Sequence, residues 1–268
     1  MGADVKILRN RIKSVNSTLH LTKAMELVAS SKMRRAMNNM MSMREYFSSV
    51  ENAVKILTAS PECQKSAYME KRESERTRLI VIAGDRGLAG GFNVNVFRLA
   101  GAFKDAEIIP IGKRACDRYG MDSVASETFS YSDASALSEK LCDDFVRNEY
   151  DRLGIVTTRY NSMLSQEAVL KWILPLEKNE EKSSGSVIFE PDENTVLSML
   201  ARQYIASFIF REVKESFASE NASRKNAMDS AGKNAQEMVD SLTTEYNRAR
   251  QGLITQEITE IVAGAGEE

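Results

Sequence analysis

ADVKILRNRIKSVNSTLHLTKAMELVASSKMRRAMNNMMSMREYFSSVENAVKILTAS, residues 3–60, contains neither glycine nor proline. Without those breakers the stretch reads as one helix of about 55 residues, about 80 Å long at 1.5 Å per residue. Alternating steps of three and four from Val5 give Leu8, Ile12, Val15, Leu19, Thr22, Glu26, Ala29, Met33, Ala36, Met40, Met43, Phe47, Val50, Val54 and Leu57. All are apolar except Thr22 and Glu26. A seven-residue repeat held this long winds a helix left-handedly around a partner helix.

The partner is expected in the last third of the same chain. No proline follows Pro191, and residues from about Glu193 to Ala263 read as helix, with only Gly232 and Gly252 inside. Met228, Ala231, Ala235, Met238, Leu242 and Ala249 lie on one seam, with Glu245 the exception. Small side chains at Ala231 and Ala235 allow close approach. Upstream, Val196–Val213 is apolar on more than one face, which suits a helix base packed against a globular body.

Between the helices the pattern changes. Leu79–Ala83 (LIVIA) reads as a buried strand, followed by the glycine-rich turn Gly84–Gly91 and a helix over Asn93–Phe103. Strands are expected at Ile108–Ile111, Val124–Phe129, Leu153–Thr158, Ala168–Leu176 and Ser186–Phe189, with helices at Lys113–Tyr119 and Ala134–Asn148. Such alternation implies a mostly parallel, Rossmann-like α/β sheet. Glu70–Arg78 reads as a linker and Glu177–Lys182 as an exposed loop. The expected fold is therefore α/β: a long antiparallel coiled coil of the N-terminal (1–60) and C-terminal (192–268) helices flanking a central α/β domain (61–191). A domain of that size has a radius of gyration of only about 13 Å, so the helical pair is expected to stand away from it as a shaft.

Composition narrows the function. The 268 residues are 43% hydrophobic and 28% charged, with a net charge of −2, which argues against a global nucleic-acid binder. Cys63, Cys116 and Cys142 have no C-x-x-C spacing, so neither a zinc knuckle nor a disulfide framework is suggested. The N-terminus has no apolar leader-like run, and no window reaches about 18 unbroken apolar residues, so a soluble protein of a reducing compartment is expected. His20 is the one histidine, a poor basis for imidazole catalysis or metal binding.

The turn Gly84–Asn93 (GDRGLAGGFN) sits where α/β proteins cradle phosphates, but its glycines match neither dinucleotide nor P-loop spacing, and a structural turn is the leading reading. Asp85 and Arg86 read as a local ion pair, and Asp143 and Asp144 as a solvated helix face. Around Lys23–Ser31, the apolar residues Ala24, Met25, Leu27 and Val28 lie off the seam, as a local stutter in the core or as a collar for a partner's sleeve. Basic residues crowd the first helix, but no aromatic precedes Tyr46 to stack on bases. At the far end Ile254, Ile258, Ile261 and Val262 lack an intramolecular partner if the longer C-terminal helix overhangs. A coiled-coil adaptor with an α/β ligand-binding domain, or a small nucleotide-dependent enzyme using the glycine turn, are the competing readings.

Three blocks resemble the gamma subunits of F-type rotary ATP synthases: Arg11–Ala36, Asp85–Asn93 (DRGLAGGFN) and Ala249–Ala265 (ARQGLITQEITEIVAGA). The family's C-terminal signature falls here on Ile254, Thr255, Glu257, Glu260, Gly264 and Ala265. Glu267 departs from it, and Ala89 stands where many members carry cysteine. The plant-type redox insert is absent. The resemblance implies a non-catalytic rotor without cofactor or metal. Its coiled coil would stand within three alpha and three beta subunits. Its α/β domain would sit with an epsilon subunit on a membrane-embedded c-ring, without membrane insertion or nucleic acid. Ion flow would turn it and so couple transport to ATP synthesis or hydrolysis. It further implies that Lys23, Met25 and Glu26 face beta-subunit levers, that Arg250, Gln251, Thr255, Glu257 and Glu260 meet the sleeve and its catch loops, and that Glu190, Pro191 and Asp192 lie near the membrane ring. A peripheral position on the cytoplasmic face of a bacterial-type membrane is expected.

Overall fold

The computed structural model describes residues 3–72, 76–179 and 189–265. In chain order the elements are α1 (Ala3–Ala59), β1 (Thr77–Ile82), α2 (Phe92–Ala100), β2 (Glu107–Ile111), α3 (Lys113–Tyr119), α4 (Tyr131–Val146), β3 (Arg152–Tyr160), β4 (Gln166–Leu174) and α5 (Glu193–Ala265). Residues 186–188 of the strand expected over Ser186–Phe189, residues 180–182 of the expected loop, residues 73–75 of the linker and Glu267 lie outside the described residues.

The chain forms two compact units, Ser30–Arg224 and Met1–Ala29 with Lys225–Glu268, so each long helix contributes to both. In the larger unit the sheet runs β2-β1-β3-β4. β1 lies parallel to β2 and to β3, while β4 is antiparallel to β3, so the sheet is mixed. The period-2 alternation of β1 sorts the core into two layers. Ile80 and Ile82 face Phe47, Val54 and Leu57 of α1, Leu141 and Phe145 of α4, and Leu197, Ile205, Ile209 and Val213 of α5. Leu79 and Val81 face Val96 and Ala100 of α2 and Ala115 of α3.

The strand expected over Val124–Phe129 is a loop. Its backbone donors are spent on a side chain instead of a ladder: Ser126 N–H and Glu127 N–H both donate to the Asp85 carboxylate, each at 2.9 Å. Gly112 precedes α3 with φ +97°, and a Cβ there would lie 1.9 Å from the Ala83 carbonyl oxygen, so no other residue fits. The helix expected from Ala134 begins at Tyr131, because Ser130 caps it. Ser130 Oγ accepts from Asp133 N–H at 3.2 Å and Asp133 accepts from Ser130 N–H at 2.8 Å, a capping box.

In the smaller unit, Val5, Leu19, Thr22 and Ala29 are buried on α1. Thr22 fits an apolar seam because its hydroxyl donates to the Leu19 carbonyl at 2.9 Å. On α5 the inward residues are Met228, Gly232, Ala235, Val239, Leu242, Tyr246 and Ala249, all buried or half-buried, while Met238 is 46% exposed. The expected seam therefore had the wrong phase at Met238, while Ala231 is itself half-buried beside the buried Gly232. Val239 holds the place assigned to Met238, and Tyr246 fills the step at which Glu245 was the exception. Gly232 provides the close approach: a Cβ on it would lie 3.5 Å from Thr22 Oγ1 and 3.9 Å from Leu19 Cδ1.

Candidate functional site

The glycine turn is filled by the chain itself. Glu220 on α5 is buried, and its carboxylate accepts from Asp85 N–H at 3.3 Å and Arg86 N–H at 3.2 Å. These are the backbone donors a phosphate would need. Arg224, one helical turn on, pairs with Glu220 and donates to the Gly87 carbonyl through Nε at 3.2 Å and Nη2 at 3.1 Å. Gly84 is glycine because a Cβ there would stand 2.7 Å from Glu220 Cδ. The turn is a structural lock, and a nucleotide has no free donors to meet at Asp85 and Arg86.

Asp85 does not pair with Arg86. Its carboxylate accepts from Lys113 N–H at 3.1 Å, Ser126 N–H at 2.9 Å, Ser126 Oγ at 3.0 Å and Glu127 N–H at 2.9 Å, and so fixes the start of α3 and the loop after it. Asp144 is also not solvated. It is 8% exposed and accepts from Arg78 Nη1 at 2.6 Å, because β1 carries Arg78 into the base of the sheet. Asp143 stays at the surface and accepts from Arg202 at 2.7 Å.

The other titratable groups are structural. Burial pushes the Cys63 and Cys142 thiols up to about 11, which keeps both protonated and unreactive. Glu212, buried on α5 and facing Lys171 at 2.7 Å, is raised by desolvation against the opposing pull of that ammonium. Among the described residues no group of three or more His, Cys, Asp or Glu side chains is placed to hold a metal ion. Among them, too, no helix is long and apolar enough to cross a membrane.

The residues singled out from sequence fall at three places. Lys23 is exposed, while Met25 and Glu26 are half-buried. Leu27 and Val28 point outward, 71% and 54% exposed. Lys233 donates to Asp229 at 2.8 Å, and this bond, with a smaller contribution from Glu26, holds its ammonium above the ordinary value. Arg250, Gln251, Thr255, Glu257 and Glu260 are all exposed. They begin 17 residues beyond Lys233, about 26 Å further along α5. They therefore form a separate level on the helix. Thr255 is tied back to the Gln251 carbonyl at 2.9 Å, and Gln256 holds Glu260 at 2.9 Å. Ile258, Ile261 and Val262 beside them are 56%, 71% and 66% exposed.

At the base, Glu190, Pro191 and Asp192 are exposed. Asp192 accepts from Thr195 N–H at 2.8 Å and Thr195 Oγ1 at 2.7 Å, which caps α5 and holds the carboxyl below its usual range. Glu220 and Arg224 were missed by sequence reasoning. Their signal was an i, i+4 acid–base pair within the small-residue stretch FASENASR (residues 217–224).

A family model described as ATP synthase matches residues 4–266. The gamma chain of the ATP synthase of Ruminococcus albus is 38% identical over 278 residues, covering 97% of this chain and 96% of its own length. That of Geobacter metallireducens is 35% identical over 281 residues, with 98% of each chain covered. The sodium-ion-specific gamma chain of Acetobacterium woodii is 35% identical over 298 residues, covering 99% of both. Among solved structures, a chain of the Euglena gracilis mitochondrial ATP synthase OSCP/F1/c-ring assembly superposes with a TM-score of 0.70 at 20% identity, covering 98% of this chain and 94% of that one. At that identity the likeness speaks for the fold.

Proposed function

The chain belongs to the ATP synthase gamma-chain family, and on that premise we propose that it is the central-stalk rotor of an F-type complex, coupling ion flow across a membrane to ATP synthesis or hydrolysis. It is not itself the catalyst. In this reading residues 1–60 and 192–268 form an antiparallel coiled coil, and residues 61–191 form the Rossmann-like body. The observation that carries it is the pairing of a buried seam with an uncovered tip. The seam runs inward from Val5 to Leu57 on α1 and from Met228 to Ala249 on α5, whereas every described side chain from Ile254 to Ala263 is exposed.

The closeness of Gly232 to Thr22 supports pairing of the two helices at that level. In an antiparallel pair counted outward from there, Val5 would fall opposite Ala249. An apolar end without an internal partner needs an external sleeve. Three alpha and three beta subunits would supply it: Arg250, Gln251, Thr255, Glu257 and Glu260 would meet the sleeve and its catch loops, and Lys23, Met25 and Glu26 the beta-subunit levers lower down. The exposed tip and collar carry no aromatic side chain to anchor one angle deeply, which suits a surface that must release at each step. Glu190, Pro191 and Asp192 would lie toward the membrane-embedded c-ring, with an epsilon subunit against the body and the whole peripheral to the cytoplasmic face.

Native mass spectrometry of the complex purified through a tag on this chain tests the reading. One copy with three copies each of two nucleotide-binding subunits is expected. A homodimer, or a monomer carrying nucleotide, would overturn it.

A further inference from the structure

Glu220 and Arg224 do more than fill the glycine turn. Between them they take both its donors and its acceptors. The carboxylate receives Asp85 N–H and Arg86 N–H. The guanidinium reaches the Arg86 carbonyl at 3.3 Å and the Gly87 carbonyl at 3.1 Å, and Nη1 reaches Asn221 Oδ1 at 3.3 Å. The two residues are 1% and 7% exposed. The turn's other side holds the remaining elements: Asp85 gathers Lys113 N–H, Ser126 and Glu127 N–H, and Glu127 pairs with Lys32 of α1 at 2.6 Å. Leu88, next along the turn, is kept at φ +60°, a conformation that persists where surrounding bonds fix it.

A buried ion pair adds little net stability over apolar packing, because desolvating two charges offsets their attraction. What it adds is direction. Apolar side chains packed on a helix resist separation but slide; here one face of α5 holds a single turn by hydrogen bonds of fixed geometry to both its N–H and its C=O groups, which resist sliding and rotation as well.

Resting on the rotor reading above, we propose that Glu220 and Arg224 are the positioning residues of a torque joint: the rigid grip by which the sheet body turns α5. They touch no substrate. Their effect is on how much of the body's rotation arrives at the far end of the helix.

The intact complex in sealed vesicles tests this, through the number of ions pumped per ATP hydrolysed. Glu220→Ala removes the turn's acceptor. Glu220→Gln keeps a carbonyl oxygen for the turn and loses only the charge, so it assembles where alanine does not. The expected order of the pumping ratio is parent, then Glu220→Gln, then Glu220→Ala, with the last reduced severalfold while ATP hydrolysis stays close to the parent rate. The double swap Glu220→Arg with Arg224→Glu retains an ion pair but presents a cation to Asp85 and Arg86 N–H, so it stays uncoupled.

A parent-like ratio in both single variants overturns the proposal, as does a parent-like ratio in Glu220→Gln where Glu220→Ala fails to assemble. A reduced yield of complex with an unchanged ratio per complex assigns the pair a merely structural role and overturns it too. Recovery in the swap would show that charge pairing alone matters, against the grip on the turn. Failure of the rotor reading looks different, since the parent complex would then not contain this chain.

Discussion

The same two helices live in two chemical settings. Within Ser30–Arg224, α5 buries charge: Glu212 and Glu220 are 0% and 1% exposed and bound to side chains distant in sequence or to the glycine turn. Further along α5, in the smaller unit, threonine side chains close on their own helix, as Thr243 does on Val239 at 2.7 Å and Thr259 on Thr255 at 2.8 Å. The larger unit carries a two-layer apolar core; the smaller relies on one narrow seam. One stretch of helix is thus anchored in three dimensions and the other is left smooth. That is the division of labour a rotor needs between the part that is gripped and the part that must slip past its neighbours.

The comparison breaks first at Gly112. Gly112→Ala adds a Cβ into the Ala83 carbonyl and forces a left-handed φ on an L residue. The larger unit is expected to lose more than about 4 kcal/mol, read as loss of its thermal transition in the purified chain. Leu57→Ala comes next. Leu57 is fully buried against the sheet, and its truncation is expected to cost about 2–5 kcal/mol by denaturant unfolding. Leu27→Ala, on the same helix but 71% exposed, is expected to change stability by less than about 0.5 kcal/mol. Equal costs at Leu57 and Leu27 would erase the distinction between the two settings.

A smaller effect belongs to the cap of α4. Ser130→Ala removes a capping oxygen and is expected to cost about 1 kcal/mol near neutral pH. The Ser130 hydroxyl and N–H hold the Asp133 carboxyl below its usual range. A depressed folded value stabilises above the unfolded pKa and is lost as the pH falls through the folded one. The difference between parent and variant should therefore narrow below about pH 4. Unfolding curves across that range check it, and a gap that widens on acidification would assign the carboxyl the opposite role.

How much of this was legible follows from where the information lies. The α1 seam was readable because a 3/4 pattern without glycine or proline admits few alternatives. The α5 seam lost its phase at Met238/Val239, apolar neighbours between which only the opposing helix decides. The antiparallel edge β4 and the loop at Val124–Phe129 depend on pairing that alternation does not encode. Asp144 looked solvated because nothing local says that Arg78 arrives from β1. The glycine turn was found, but its ligand was not, since Glu220 lies 135 residues from Asp85.

The finest test reverses a sign. Both units contain glycines, but for unlike reasons. At Gly84 a Cβ would meet the Glu220 carboxylate, so Gly84→Ala destabilises by displacing the lock. At Gly252 a Cβ meets nothing within 4 Å, and the backbone is helical and exposed. There glycine contributes only backbone freedom to the unfolded chain, so Gly252→Ala is expected to stabilise the helix by about 0.5–1 kcal/mol. Circular dichroism at the helical minimum, followed through thermal unfolding, reads it. Destabilisation at Gly252 would mean that this stretch is packed as tightly as the glycine turn, and the contrast between a gripped end and a smooth one would fail.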